Sequence, residues 1–248
     1  MKIIVNADDL GVSRQVNEAI FDVIAAGRIT SATLIANGPA VSDAARRVGQ
    51  WPECSFGVHL NLTEFRPLSR EAASLLTTAS GAMSRRNIER ARLTPTLLRA
   101  VYEEFRRQIQ TLLELGVPIS HIDSHHHCHT IPQVFPALKA VQKRFGIRRI
   151  RASRNIYRSD EAVSRSLQMK KKIFNFALRT IYTSQVPDGF TDLPTLLQID
   201  GATAREFRSI EVMTHPGARG QEEETAFLRS RWIESLPWAA TLCNYNQL

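Results

Sequence analysis

The sequence predicts an α/β fold, a (β/α) barrel that is irregular or incomplete. Three observations carry this prediction. Short apolar, β-branched runs alternate with amphipathic helical stretches along most of the chain. The length of 248 residues falls where α/β barrels routinely form one domain. The acidic and imidazole side chains gather just past the apolar runs. Repeated alternation of this kind builds a mainly parallel sheet with helices outside it. An open doubly wound sheet is the competing architecture, and the barrel is preferred.

Residues 3–7 form an apolar run that stops at Asp8-Asp9, which reads as a buried strand with polar groups at its C-terminal end. Ser13 is placed to cap a helix whose Val16, Ile20, Val23 and Ile24 fall at i, i+4, i+7 and i+8, and Gly27 stops it. A strand is predicted over 29–36, closed by Asn37-Gly38-Pro39, then a helix over 42–48 and a strand over 55–62. Residues 64–93 break the rhythm with Pro67, Gly81 and many Ser, Thr and Arg residues. They read as an irregular insertion near the active face, a setting in which long loops act as lids or binding loops. Further helices are predicted over 95–115, 132–145 and within 161–182, and further strands over 119–123, 147–151 and 210–214. One domain spanning 1–248 is expected.

The composition, 43% hydrophobic and 23% charged, is that of a soluble globular protein. The net charge of +8 permits an anionic partner. The basic residues are dispersed, however, without a zinc-finger, helix-turn-helix or RNP pattern, so nucleic acid is not expected as a partner. Three cysteines, Cys54, Cys128 and Cys243, share no repeating spacing and indicate neither a disulfide framework nor a thiolate metal site. Asp8 and Asp9 stand where a secretory leader needs its apolar stretch, and no run approaches a membrane span. A cytoplasmic location is predicted.

All seven histidines sit in three places: His59, the cluster from His121 to His129, and His215. Each place, like Asp8-Asp9, lies at or near the C-terminal end of a predicted strand. In an α/β barrel those ends share one face, where such folds build their sites. A lone histidine at a strand end is more often structural, and an acidic pair can simply cap the next helix. The coincidence of all of them on one face points instead to a metal site.

One carboxylate and two imidazoles would leave positions open for water and substrate. Asp9, His59 and His125 are assigned as these ligands. Asp8, kept ionised by an adjacent cation, is assigned as general base and His215 as the acid that protonates the leaving group. The cluster permits other choices. In an extended segment His121, Asp123, His125, His127 and His129 would share one face, with His126 on the other. His121 and Asp123 are candidates for orienting the ligands, and His127 and His129 for lining the substrate cleft, with His129 alternatively serving the start of the next helix.

Asn6-Ala7-Asp8-Asp9-Leu10-Gly11, Gly57-Val58-His59-Leu60, His121-Ile122-Asp123-Ser124-His125-His126-His127 and Thr214-His215-Pro216 resemble the YdjC-like carbohydrate deacetylases. That group includes chitooligosaccharide deacetylases and proteins associated with hopanoid biosynthesis. The resemblance covers nearly the whole chain, including Glu104 and Gln108. It implies a distorted, TIM-like (β/α) barrel related to the polysaccharide deacetylases, and one divalent ion, Mg2+ or Zn2+, on Asp9, His59 and His125. It implies Asp8 as base, His215 as acid and an acetylated amino sugar or oligosaccharide as substrate. A homodimer is a candidate assembly. Arg151 matches an arginine that related deacetylases place beside the base, although Ser153 stands where a proline is usual. The segment after Trp232 is shorter than the usual final helix, so closure of the barrel or an oligomer contact is expected to differ.

Two other enzyme classes fit less well. Barrel metallohydrolases acting on a different amide or ester usually begin with a His-x-His pair, where this chain has Asp8-Asp9. Ferrous oxygenases use two histidines and a carboxylate, but on an all-β scaffold that the helical segments contradict. A catalytically inactive metal-binding relative would not need Asp8 and His215.

Overall fold

A computed structural model describes residues 1–158 and 160–248. Ile3, Ile4, Val5 and Ala7 of β1 (Lys2–Leu10) are wholly buried, as a parallel strand covered on both faces requires. The Ser13 hydroxyl accepts from the Val16 amide and caps α1 (Arg14–Ala25), whose Val16, Ile20 and Val23 turn inward. β2 (Ser31–Leu34), α2 (Val41–Val48) and β3 (Ser55–Leu60) repeat the unit. α3 (Arg70–Leu75) and α4 (Arg85–Arg90) precede the long α5 (Pro95–Glu114), which Thr94 caps and Pro95 begins. β4 (Ile119–Ser124), α6 (Phe135–Phe145), β5 (Arg149–Ile150), α7 (Arg165–Thr180) and β6 (Gly189–Asp192) follow. Two single-turn helices, α8 (Leu193–Leu196) and α9 (Gly201–Ala204), lead to β7 (Ser209–Thr214), then α10 (Glu222–Leu228) and β8 (Thr241–Leu242). None of the described helices is long and apolar enough to cross a membrane.

The strands form one parallel sheet in the order β5-β4-β3-β2-β1-β7-β6, with β8 pairing the start of β1. β5 and β6 end the path, and irregular chain closes the seam between them. Gln185 bridges Arg149, and the Asn155 and Ile156 amides donate to the Phe190 carbonyl at 3.3 and 3.4 Å. The sheet is thus a distorted barrel, as the alternating pattern predicted. All its strands point one way, so their C-terminal ends share a rim.

Residues 64–93 carry more structure than the sequence reading gave them. They contain α3, α4 and an antiparallel bridge between Thr77 and Met83. Two polar residues on the buried face of α5 pin this excursion. Glu104 accepts from the Leu68 and Ser69 amides, and Gln108 brackets Asn61, donating to its carbonyl and accepting from its amide. The C-terminal segment tucks under the opposite end of the barrel. Tyr245 N donates to Ser55 Oγ at 3.1 Å, and its ring stacks on His121 with centroids 3.6 Å apart.

Candidate active site

The end of β1 delivers the acidic pair through an irregularity. Its register with β2 shifts between Ala7 and Leu10, and Asp9 adopts a left-handed backbone with φ 68°. Asp8 and Asp9 therefore both reach the rim instead of falling on opposite faces of the strand. His59 arrives from the end of β3. Gly57, two residues earlier, is required by packing, since a Cβ there would stand 2.5 Å from the His121 ring.

The predicted ligands come together. Asp9 Oδ1 lies 2.8 Å from His125 Nδ1 and 3.4 Å from His59 Nε2, and one donor atom from each of the three residues falls within 4.8 Å of the others. The remaining nitrogen of each ring is held by a carboxylate. His59 Nδ1 donates to Asp123 Oδ1 at 2.7 Å, and His125 Nε2 donates to Glu64 Oε2 at 2.9 Å. Each carboxylate orients its ring and turns the other nitrogen toward Asp9, the orientation a ligating imidazole needs.

Asp8 sits just behind, its Oδ2 3.9 Å from His59 Nε2. Both its oxygens accept from Arg151, at 2.7 and 2.6 Å, and Asn6 Nδ2 donates to Oδ1 at 2.8 Å. Burial alone would raise the Asp8 pKa, but the Arg151 guanidinium outweighs it and holds the carboxyl well below the usual range. The same guanidinium reaches Asp123 Oδ2 at 3.0 Å and Glu211 Oε1 at 2.8 Å. Burial pushes Glu211 up to about 7 despite Arg151, and the Tyr245 hydroxyl donates to its other oxygen.

Asp9 is likewise held low, with the His125 and His59 bonds overcoming burial. His59 is raised to about 10, because Asp123 and Asp8 outweigh the desolvation that would lower it. Arg151 thus pairs with the buried Asp8, Asp123 and Glu211, while Asp9 pairs with the His59 and His125 rings. Two ring nitrogens converging with a carboxylate oxygen in a largely buried cleft fit a divalent cation.

The structure revises the reading of the His121 to His129 cluster. The strand ends at Ser124, and His126 and His127 turn left-handed at φ 49° and 53°, so the segment is not extended and its histidines share no face. His121 orients no ligand: its ring lies in the barrel interior, bonded to Ser120 at 2.8 Å and stacked on Tyr245. His129 does not line the cleft, because it is fully buried and tied to Ser124 through Nδ1. His127 is half-buried against Phe190, and burial lowers it to about 3. Asp123 touches His59 directly. His215 stands past β7, its amide donating to Glu224 Oε1 at 2.6 Å.

Sequence reasoning missed Glu64, Asn6, Thr33 and Glu211. Thr33 Oγ1 donates to Asp123 Oδ2 at 2.9 Å, completing the support behind His59. Glu211 was hidden inside an apolar run, where a lone acid in a barrel strand was the available clue.

A family model described as YdjC-like protein matches residues 2–236. A carbohydrate deacetylase of Vibrio cholerae serotype O1 is 31% identical over 95% of this chain and 91% of its own length. A chitooligosaccharide deacetylase of Serratia marcescens is 31% identical over 86% of this chain and 81% of its own. A crystal structure from Enterococcus faecalis V583, provisionally named for cellobiose-phosphate cleavage, superposes with TM-score 0.78 at 24% identity over 99% of this chain and 98% of that one. The structural likeness speaks to the fold alone.

Proposed function

We propose that this chain, which belongs to the YdjC-like protein family, is a metal-dependent carbohydrate deacetylase that hydrolyses the acetamide of an N-acetylated amino sugar or short oligosaccharide. The observation that carries the reading is the pairing of a three-residue ligand set, Asp9, His59 and His125, with a separate buried carboxylate, Asp8, behind it. Metal holding needs the first group only. The names of its relatives support the acetyl and sugar parts of the proposal.

A divalent cation, Mg2+ or Zn2+, held by Asp9, His59 and His125 would supply Lewis-acid polarisation of the acetamide carbonyl. Asp8 takes a proton from the attacking water. Its low proton affinity at rest keeps it ionised, and Arg151 fixes both oxygens so that no reorientation is needed as charge moves. Asp123 and Glu64 hold the two imidazoles, and Asn6 and Thr33 hold the carboxylates. His215, carried just past β7, gives a proton to the sugar nitrogen as the C–N bond breaks. The products are acetate and a free amine.

Acetate release from N-acetylated di- and oligosaccharides by Mg2+- or Zn2+-loaded protein tests the reading. Asp8→Asn is expected to retain metal affinity and abolish turnover, and His125→Ala to lose the affinity itself. Wild-type rates in Asp8→Asn would remove Asp8 from the mechanism.

A further inference from the structure

We propose that the outward face of α7 seats the protein on an anionic lipid bilayer. Leu167, Met169, Ile173, Phe176 and Ile181 all stand in solvent on or just beyond this one helix, with Ile173 61% and Phe176 68% exposed. At helical periodicity Met169, Ile173 and Phe176 form a single stripe, opposite the buried Leu178. Lys170 borders the stripe on one side, and Arg165, Lys172 and Arg179 border it on the other. A solvated surface helix is apolar toward the core and polar outward, whereas α7 is apolar on both faces with cations between.

That pattern matches the bilayer interface, where apolar side chains enter the acyl boundary and Lys and Arg stems leave their charges among the headgroups. α7 contains no Asp or Glu. A second copy of the chain is the less suitable occupant, because symmetric pairing through this face would oppose its cations to the same cations with no carboxylate on the helix to offset them. The chain's net charge of +8 adds long-range attraction to an anionic surface. Beneath the stripe lies a groove of ≈ 600 Å3 lined by Phe135, Ile173 and Phe174, and also by Thr130 and Ser153.

The test is sedimentation of the full chain with vesicles of phosphatidylcholine alone and of equimolar phosphatidylcholine and phosphatidylglycerol. Binding is expected only to the phosphatidylglycerol vesicles, weakening as salt rises. The double variants Ile173→Asp/Phe176→Asp and Lys170→Glu/Lys172→Glu should each lower partitioning about tenfold or more, with melting temperature and acetate release from soluble oligosaccharides unchanged. Three results would overturn the proposal. The first is failure of the wild type to bind anionic vesicles, and the second is unchanged binding in both variants. The third is a light-scattering dimer that the Ile173→Asp/Phe176→Asp variant converts to monomer, which would make the face an interface between copies.

Discussion

Arg151 grips Asp8 through two parallel hydrogen bonds of 2.7 and 2.6 Å, and neither residue is exposed by more than 2%. The same guanidinium also faces Asp123 and Glu211. Removing it by Arg151→Met leaves buried acids without a counter-charge, which typically costs about 3–5 kcal/mol. A large drop in melting temperature is expected. Arg151→Lys should recover part of the stability but little of the turnover, because an ammonium cannot hold both Asp8 oxygens in one plane. Equal turnover in Arg151→Lys and wild type would show that the fork is dispensable.

His59 makes stability and metal binding depend on pH in opposite ways. In metal-free protein its folded pKa of about 10 lies above the ordinary histidine value of 6.5, so folding binds a proton. The stabilisation is fully present below pH 6.5 and is lost as the pH rises toward 10. Melting temperatures in EDTA should therefore fall across that window, and His59→Gln should flatten the slope. A ligating imidazole must surrender the same proton, so cation affinity should rise with pH over the same range, with proton release visible by calorimetry in buffers of different ionisation enthalpy. A metal affinity independent of pH between 6.5 and 9 would contradict this coupling.

Glu64 tests whether the far side of His125 matters. Its carboxylate accepts from His125 Nε2 at 2.9 Å while Nδ1 faces Asp9. Loss of such a partner typically weakens metal binding about 10–100-fold. Glu64→Ala should show that loss in a competition titration with a metal-chelating dye. Glu64→Gln should show less, because its amide oxygen still accepts the hydrogen bond. Identical affinity in Glu64→Ala and wild type would assign Glu64 to the surface.

What the sequence disclosed follows from the range of each interaction. Asp8, Asp9 and His59 were legible because each closes an apolar run, and a strand end in a parallel barrel fixes the rim without further information. Arg151 stood out only by resemblance, since its partner Asp8 is 143 positions away and no local pattern joins them. Glu64 was illegible for the same reason, lying in a stretch without periodicity and meeting His125 only after the turn at His126 and His127. The alternation rule failed at His129 because it assumes an extended backbone, and the chain leaves the strand at Ser124. β6 and β8, of four and two residues, are too short to carry a period.

His215 and Asp8 should separate when the leaving group is changed. An amide nitrogen departs only when protonated, so the acid is needed for the natural bond. A p-nitrophenolate departs unaided, whereas attack of water on an acetyl carbonyl needs the base in either substrate. His215→Ala should therefore lower kcat for an N-acetylated sugar by about 10²–10⁴-fold while leaving p-nitrophenyl acetate hydrolysis within a few-fold of wild type. Asp8→Asn should depress both. His215 lies beyond β7 with only its backbone amide tied to Glu224, and it is absent from the Asp9, His59 and His125 ligand group, so its removal should leave metal affinity intact. Equal losses on amide and ester in His215→Ala would place that residue in the attack step, and the acid would have to be sought elsewhere, with the half-buried His127 as the first residue to substitute.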